Sequence, residues 1–208
     1  VLCAVLLTGM IAASTWGASV EIWPSERRGN NTLFCYGGDW NTMLIGIYSD
    51  DHGKHRLKLP ERFTEPTVLW VTLPEEAEFL GAHVYGQNEL GVNKAFETTK
   101  TTQDGKAFRR VRIPLLNDVL TQRLITKSYY YRIHVWFDAP EHLDSAVSWE
   151  LHYGETTLAK GGSKLVTAGV VRAGRKLPRT FGFYPYGCLS IVPADNHDRM
   201  AEFYQRFG

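Results

Sequence analysis

The most constraining feature of the chain is a series of short apolar–polar alternations, separated by turn residues, between positions 20 and 171. Alternation with a period of two puts successive side chains on opposite faces of a strand, so one face is buried. About ten such runs follow one another, and residues 115–125 form the one helical-looking interruption. Asp104-Gly105 is a strong hairpin signal, because both residues tolerate positive φ. The pattern predicts an all-β chain, folded as an antiparallel β-sandwich of Ig-like or jelly-roll type.

Net charge excludes one class of partner. The chain has 23 Lys and Arg against 22 Asp and Glu, so the formal net charge is +1. A nucleic-acid-binding domain needs a basic excess to displace counterions from phosphates. We therefore expect no nucleic-acid partner.

The first residues resemble the apolar core of a secretory signal. Residues 1–13 are apolar, no charged residue precedes Glu21, and small residues dominate 13–19. The apolar run is shorter than the roughly 20 residues that a membrane-spanning helix needs. We therefore assign residues 1–18 to a partial signal peptide. The mature protein is expected to be secreted or in the periplasm or cell envelope, without a membrane span.

The composition changes again after the last strand. Residues 171–179 contain four basic residues and no acidic residue, which is typical of a solvated linker. Residues 195–208 follow with a capped helical pattern whose apolar face contains Met200, Phe203, Tyr204 and Phe207. We predict a β-sandwich domain at 19–172, a linker at 173–180, and at 181–208 the first strand and helix of a truncated α/β domain.

Two aromatic-rich strands suggest a ligand site. The alternation predicts that Ile133, Val135, Trp149 and Leu151 are buried, in the core phases of residues 128–137 and 147–154. The non-core phases of the same runs carry six candidate side chains: Tyr130, Arg132, His134, Trp136, Glu150 and His152. If the strands pair with His134 opposite Glu150, these groups form one outward patch. Flat rings flanked by planar hydrogen-bonding groups suit a sugar ring. The alternatives are simple cross-strand pairing on a solvated face, or packing against the second domain.

Motifs for catalysis are absent from the sequence. There is no Gly-x-Ser-x-Gly, no Cys-x-x-Cys and no helical His-x-x-x-His, so we assign no metal, no cofactor and no catalytic residue. Whether the chain is part of an enzyme stays open. Cys35 and Cys188 either form a disulfide or are two buried free thiols.

Residues 69–74 (LWVTLP) with 78–82 (EFLGA), and 181–187 (FGFYPYG) with 195–208, carry a resemblance in architecture. The chain resembles the N-terminal β-sandwich accessory region of large secreted bacterial glycoside-hydrolase-like proteins. The resemblance implies a non-catalytic sandwich that packs on a downstream (β/α)₈ catalytic domain. The alternative is a carbohydrate- or surface-binding module, with polysaccharide as its partner. A third hypothesis has residues 184–195 contribute to an active site.

Overall fold

The computed structural model describes residues 18–23, 25–26, 31–84, 96–127 and 129–170. Residues 1–17 of the expected signal peptide lie outside this part of the chain, and so do the linker at 173–180 and the segment 181–208. The assignments made for them stay predictions.

The described residues are mostly strands. Their bounds are β1 (Ala18–Trp23), β2 (Thr32–Gly37), β3 (Asp39–Tyr48), β4 (His55–Leu57), β5 (Thr67–Pro74), β6 (Glu78–Val84), β7 (Glu97–Gln103), β8 (Lys106–Leu115), β9 (Tyr130–Ala139), β10 (Asp144–Tyr153) and β11 (Thr156–Val170). The predicted helical interruption is a helical turn, α1 (Asn117–Leu120), that continues as a π-helix over Thr121–Thr126. The sequence did not indicate β4, because three residues are too few to show a period.

The hairpin between β7 and β8 confirms its sequence signal. Asp104 and Gly105 have φ values of +50° and +75°, and Gln103 lies opposite Lys106. Two consecutive residues in the left-handed region match the twist of the flanking strands, which explains the Asp-Gly pair.

The strands form two layers. The first has the order β4-β1-β3-β9-β6, the second has the order β2-β11-β10-β5-β8-β7, and the pair Gly37–Ala139 between β2 and β9 joins them. The predicted all-β sandwich is therefore confirmed. Neighbouring strands are antiparallel except for β2, which runs parallel to both β11 and β9.

One apolar core lies between the layers. Strand β9 alternates buried and half-buried residues along its whole length, and Ile133 and Val135 are fully buried. Trp149 and Leu151 of β10 enter the same core from the second layer. The core phase predicted for both strands is confirmed, because alternation alone decides which side chains share a face.

A polar cluster ties the two layers together near β4. The buried carboxylate of Glu26 accepts hydrogen bonds from His55 Nε2, at 2.7 Å, and from the backbone N–H of Ile22. The His55 ring meets the Trp149 ring edge to face, with centroids 5.3 Å apart. The hydrogen bonds satisfy a carboxylate that would otherwise be costly to bury.

Gly161 of β11 makes this close approach possible, so Gly161→Ala should destabilise the fold. An added Cβ would lie 2.6 Å from His55 Nε2, 2.7 Å from Trp149 Cζ2 and 2.9 Å from Glu26 Oε1. We expect the free energy of unfolding, measured by urea denaturation, to fall by roughly 1–3 kcal/mol, as overpacking does. The matched control is Gly169→Ala on the same strand, whose Cβ would make an ordinary 3.8 Å contact with Tyr36. Equal losses in both variants would contradict the packing argument.

Candidate functional site

The six predicted site residues do not form one patch. Strand β9 pairs with β3 on one side and β6 on the other, whereas β10 pairs with β5 and β11. The expected pairing of β9 with β10, with His134 opposite Glu150, is therefore wrong. The two strands are consecutive in the chain but belong to different layers, and a period of two encodes the buried face without encoding the neighbour.

Four of the residues share the outer face of the first layer, which we call the β9 face: Tyr130, Arg132, His134 and Trp136. His83 of β6 lies opposite His134 and joins them. The His134 and Trp136 rings are stacked with centroids 6.5 Å apart. At the other end of the face, Arg132 Cζ lies 4.1 Å from the Tyr130 ring centroid.

Burial controls the charge of the β9 face. It lowers the pKa of His134 to about 4, with smaller contributions from the neighbouring His83 and Arg132. Burial also lowers the pKa of His83. Both imidazoles are consequently neutral at pH 7, and the guanidinium of Arg132 is the positive charge among these five side chains.

The other two predicted residues lie on the outer face of the second layer. Glu150 Oε2 accepts a hydrogen bond from Arg110 Nη2 at 2.8 Å and another from His152 Nε2 at 2.9 Å. Arg110 Cζ also lies 4.4 Å from the Trp70 ring centroid. One carboxylate thus positions a guanidinium, an imidazole and, through the guanidinium, an indole.

The register places Trp70 and Glu150 in a row of mostly charged residues that crosses five strands. The row runs through Glu97, Arg112, Trp70, Glu150 and Lys160, which lie opposite one another in sequence. Sequence reasoning missed Trp70 of β5 and, on β8, Arg110 and Arg112. Their positions in the alternating pattern could have indicated them, since each side chain alternates with the core residues of its strand and so lies on the outer face.

Beside this row lies a concave region of about 620 Å³, which we call the Trp70 trough. Its lining is Glu65, Pro66, Val68, Trp70, Arg112, His152, Tyr153, Gly154, Glu155 and Thr156. The Tyr153 hydroxyl accepts a 3.0 Å hydrogen bond from the backbone N–H of Thr64, which fixes one wall. The trough therefore combines an indole with a guanidinium, an imidazole, carboxylates and a hydroxyl.

In the described ranges, no three His, Cys, Asp or Glu side chains are close enough together to hold a metal ion. No helix in the same part of the chain is long and apolar enough to cross a membrane. Cys35 is buried, its Sγ lies 3.5 Å from the carbonyl oxygen of Val166, and burial raises its pKa. Cys188 lies outside the described residues, so the pairing of the two cysteines stays a prediction.

The fold and its surface define a β-sandwich domain with a polar, aromatic trough on one outer face. No family model and no curated protein matches the chain.

Among solved structures, the chain is similar to the N-terminal domain of the Streptococcus gordonii adhesin Sgo0707, with 8% identity and a TM-score of 0.40. It is also similar to the C-terminal domain of the Streptococcus pyogenes antigen I/II-family protein AspA, with 13% identity and a TM-score of 0.38. These matches cover 73% and 72% of this chain, and only 32% and 46% of the other chains. A collagen-binding domain from a Staphylococcus aureus adhesin matches over 74% of this chain and 99% of its own, with 10% identity and a TM-score of 0.32. Likenesses this distant carry no inference about function.

Proposed function

We propose that this sandwich is a non-catalytic saccharide-binding module of a secreted multidomain protein, and that the sugar binds in the Trp70 trough. The observation that carries the proposal is the combination of Trp70 with planar polar groups around one concavity. A pyranose ring presents C–H groups on its faces and hydroxyls around its edge. An indole ring packs well against the C–H faces of the sugar. Carboxylate, guanidinium and imidazole groups can form hydrogen bonds with its hydroxyls.

The size of the trough and the ordered side chains around it support the same conclusion. The trough is an open depression of about 620 Å³, which is large enough to admit a sugar ring from solvent. The contacts of Glu150 with Arg110 and His152 hold the surrounding side chains before any ligand arrives. Groups that are already ordered lose less conformational entropy on binding.

Of the two main roles expected from the sequence, this geometry favours binding over docking to a downstream domain. The trough is formed entirely by described residues and is open to a soluble ligand.

Trp70→Ala should abolish retention of the protein on a polysaccharide to which the wild type binds. Trp70 is the largest side chain that lines the trough, and its loss should weaken binding by about tenfold or more, which corresponds to roughly 1.4 kcal/mol. Affinity electrophoresis against a panel of soluble neutral polysaccharides gives the measurement. Because Trp70 is half-buried, Glu155→Ala provides a second variant, at an exposed side chain of the trough.

Two tryptophans of the first layer serve as controls. Trp23 is 42% exposed on β1, and Trp136 belongs to the β9 face. Trp23→Ala and Trp136→Ala should both keep wild-type retention. Loss of retention with Trp136→Ala but not with Trp70→Ala would move the sugar site to the β9 face. No retention of the wild type on any polysaccharide would contradict the proposed function.

A further inference from the structure

Strand β2 carries two exposed aromatic side chains on the outer face of the second layer, which we call the Phe34–Tyr36 pair. Each is 60% exposed, whereas Leu33 and Cys35, which alternate with them, are buried in the core. Five large apolar side chains are exposed in the described part of the chain, and these two share one strand and one face. Single exposed apolar residues are ordinary on a protein surface, but an adjacent pair is a candidate contact surface.

The backbone beneath the pair is held in place without covering the rings. The side chain of Asn41 accepts a 2.7 Å hydrogen bond from the backbone N–H of Tyr36 and donates a 2.8 Å hydrogen bond to its carbonyl oxygen. On the other side, Tyr36 lies opposite Gly169 of β11, where an added Cβ would be 3.8 Å from the Tyr36 ring. The pair is therefore presented to solvent by an ordered strand.

The Trp70 trough lies on the same outer face, at a distance that the register defines. Trp70 lies opposite Glu150 of β10, and Phe34 is aligned with Asp144 of the same strand through Val166 of β11. The two aromatic features are therefore six residues apart along the strands and three strands apart across the sheet. A rise of about 3.4 Å per residue and a strand spacing of about 4.8 Å give a separation of about 25 Å.

The surface between the two aromatic features is low. The direct path crosses β10 at Ser148, which lies opposite Gly162 of β11, so this crossing has no bulky side chain. Beside the path, the exposed side chains of Lys164 and Asp144 form an ion pair, with Nζ 3.0 Å from Oδ2. These two charges are paired with each other, which favours an uncharged ligand over an ionic one.

We propose that the ligand is an extended, uncharged polysaccharide chain that occupies the Trp70 trough and continues across the sheet to the Phe34–Tyr36 pair. This inference rests on the proposed function and adds to it a second subsite and a minimum ligand length. A single sugar residue is far shorter than the separation of the two features, so only a chain of several residues contacts both. The rings of the pair supply apolar surface for the C–H faces of the distant sugar residues.

The test is a length series of neutral oligosaccharides, prepared from the soluble polysaccharide that retains the wild type best. Calorimetric titrations give the affinity of the wild type for fragments of two to eight sugar residues. The affinity should rise with length until the fragment spans both subsites. A trough that acts alone predicts that the affinity stops rising at two or three residues, where the trough is filled.

Two substitutions on β2 separate the subsites. Phe34→Ala and Tyr36→Ala should each weaken binding of the longest fragment by roughly threefold to tenfold. Both should leave the shortest fragment that binds unaffected, because it occupies the trough alone, whereas Trp70→Ala should weaken binding of both fragments. The matched control is Trp23→Ala, which removes an exposed aromatic ring from the first layer and should bind as the wild type does at every length.

The outcomes that overturn the second subsite differ from those that overturn the proposed function. Equal affinity of the wild type and both β2 variants for the longest fragment would remove the second subsite and keep the trough. An affinity of the wild type that is independent of length beyond three residues would do the same. Equal affinities together with dissociation of a dimer in the variants would assign the pair to a contact between two copies of the chain. Failure of the wild type to bind any fragment or polysaccharide would contradict both proposals.

Discussion

Trp149→Ala should lower the free energy of unfolding by roughly 3–5 kcal/mol, as large-to-small changes at buried aromatic residues do. Trp149 is 1% exposed, lies in the core phase of β10, and packs on His55 of the opposite layer. Its removal leaves a cavity between the two layers. The surrounding strands cannot close this cavity, because β10 is hydrogen-bonded on both sides. Urea denaturation monitored by circular dichroism measures the loss.

Two further substitutions sharpen this expectation. Trp23→Ala removes the same side chain from an exposed position and should cost less than about 1 kcal/mol. Trp149→Phe should cost much less than Trp149→Ala, because the phenyl ring fills most of the space. It also removes an indole N–H that is buried without a hydrogen-bond partner. A loss below about 1 kcal/mol for Trp149→Ala would mean that the layers do not pack through this residue.

The second large effect is a loss of stability in mild acid. Burial lowers the pKa of His134 in the folded protein to about 4, against 6.5 for an ordinary histidine in the unfolded chain. Above pH 6.5 the imidazole is neutral in both states, so the fold has its full stability. As the pH falls from 6.5 to about 4, the unfolded chain takes up a proton that the folded protein does not. Stability decreases over that window by up to about 3 kcal/mol.

His83 adds to the effect in the same direction, since burial lowers its pKa too. The measurement is a series of urea denaturations between pH 7.5 and 4.5, on the wild type and the variants alike, because carboxylates begin to titrate at the acid end of this range. His134→Gln should reduce the pH dependence, and the contribution of His83 should remain. His142→Gln alters an exposed histidine as the control and should keep the wild-type slope. Stability that does not change between pH 6.5 and 4.5 would exclude a buried neutral imidazole at position 134.

Local pattern was sufficient to predict most elements of this fold, β4 excepted. The alternation in β9 and β10 predicted that Ile133, Val135, Trp149 and Leu151 are buried, and they are. The Asp104-Gly105 pair predicted a hairpin, and residues 115–125 predicted the helical interruption. These features depend on side-chain periodicity and on the backbone preferences of single residues, which the sequence states directly.

The same reasoning predicted only part of the candidate site. The six predicted residues are indeed on outer faces, as their phase requires. Their grouping into one patch is wrong, because Arg132 and Glu150 belong to different layers. Trp70, which forms part of the trough, was not among the predicted site residues, since a single tryptophan in a strand is ordinary.

The sequence by itself determined the all-β class, the core faces of β9 and β10, and the polar and aromatic character of their outer faces. Only the tertiary structure decided which strands are neighbours, and therefore that Trp70 lies beside Glu150 and that His83 lies beside His134. The physical reason is that backbone hydrogen bonds between strands are the same for every residue. Alternation specifies a face, whereas the choice of neighbour depends on how the whole set of strands buries one shared core.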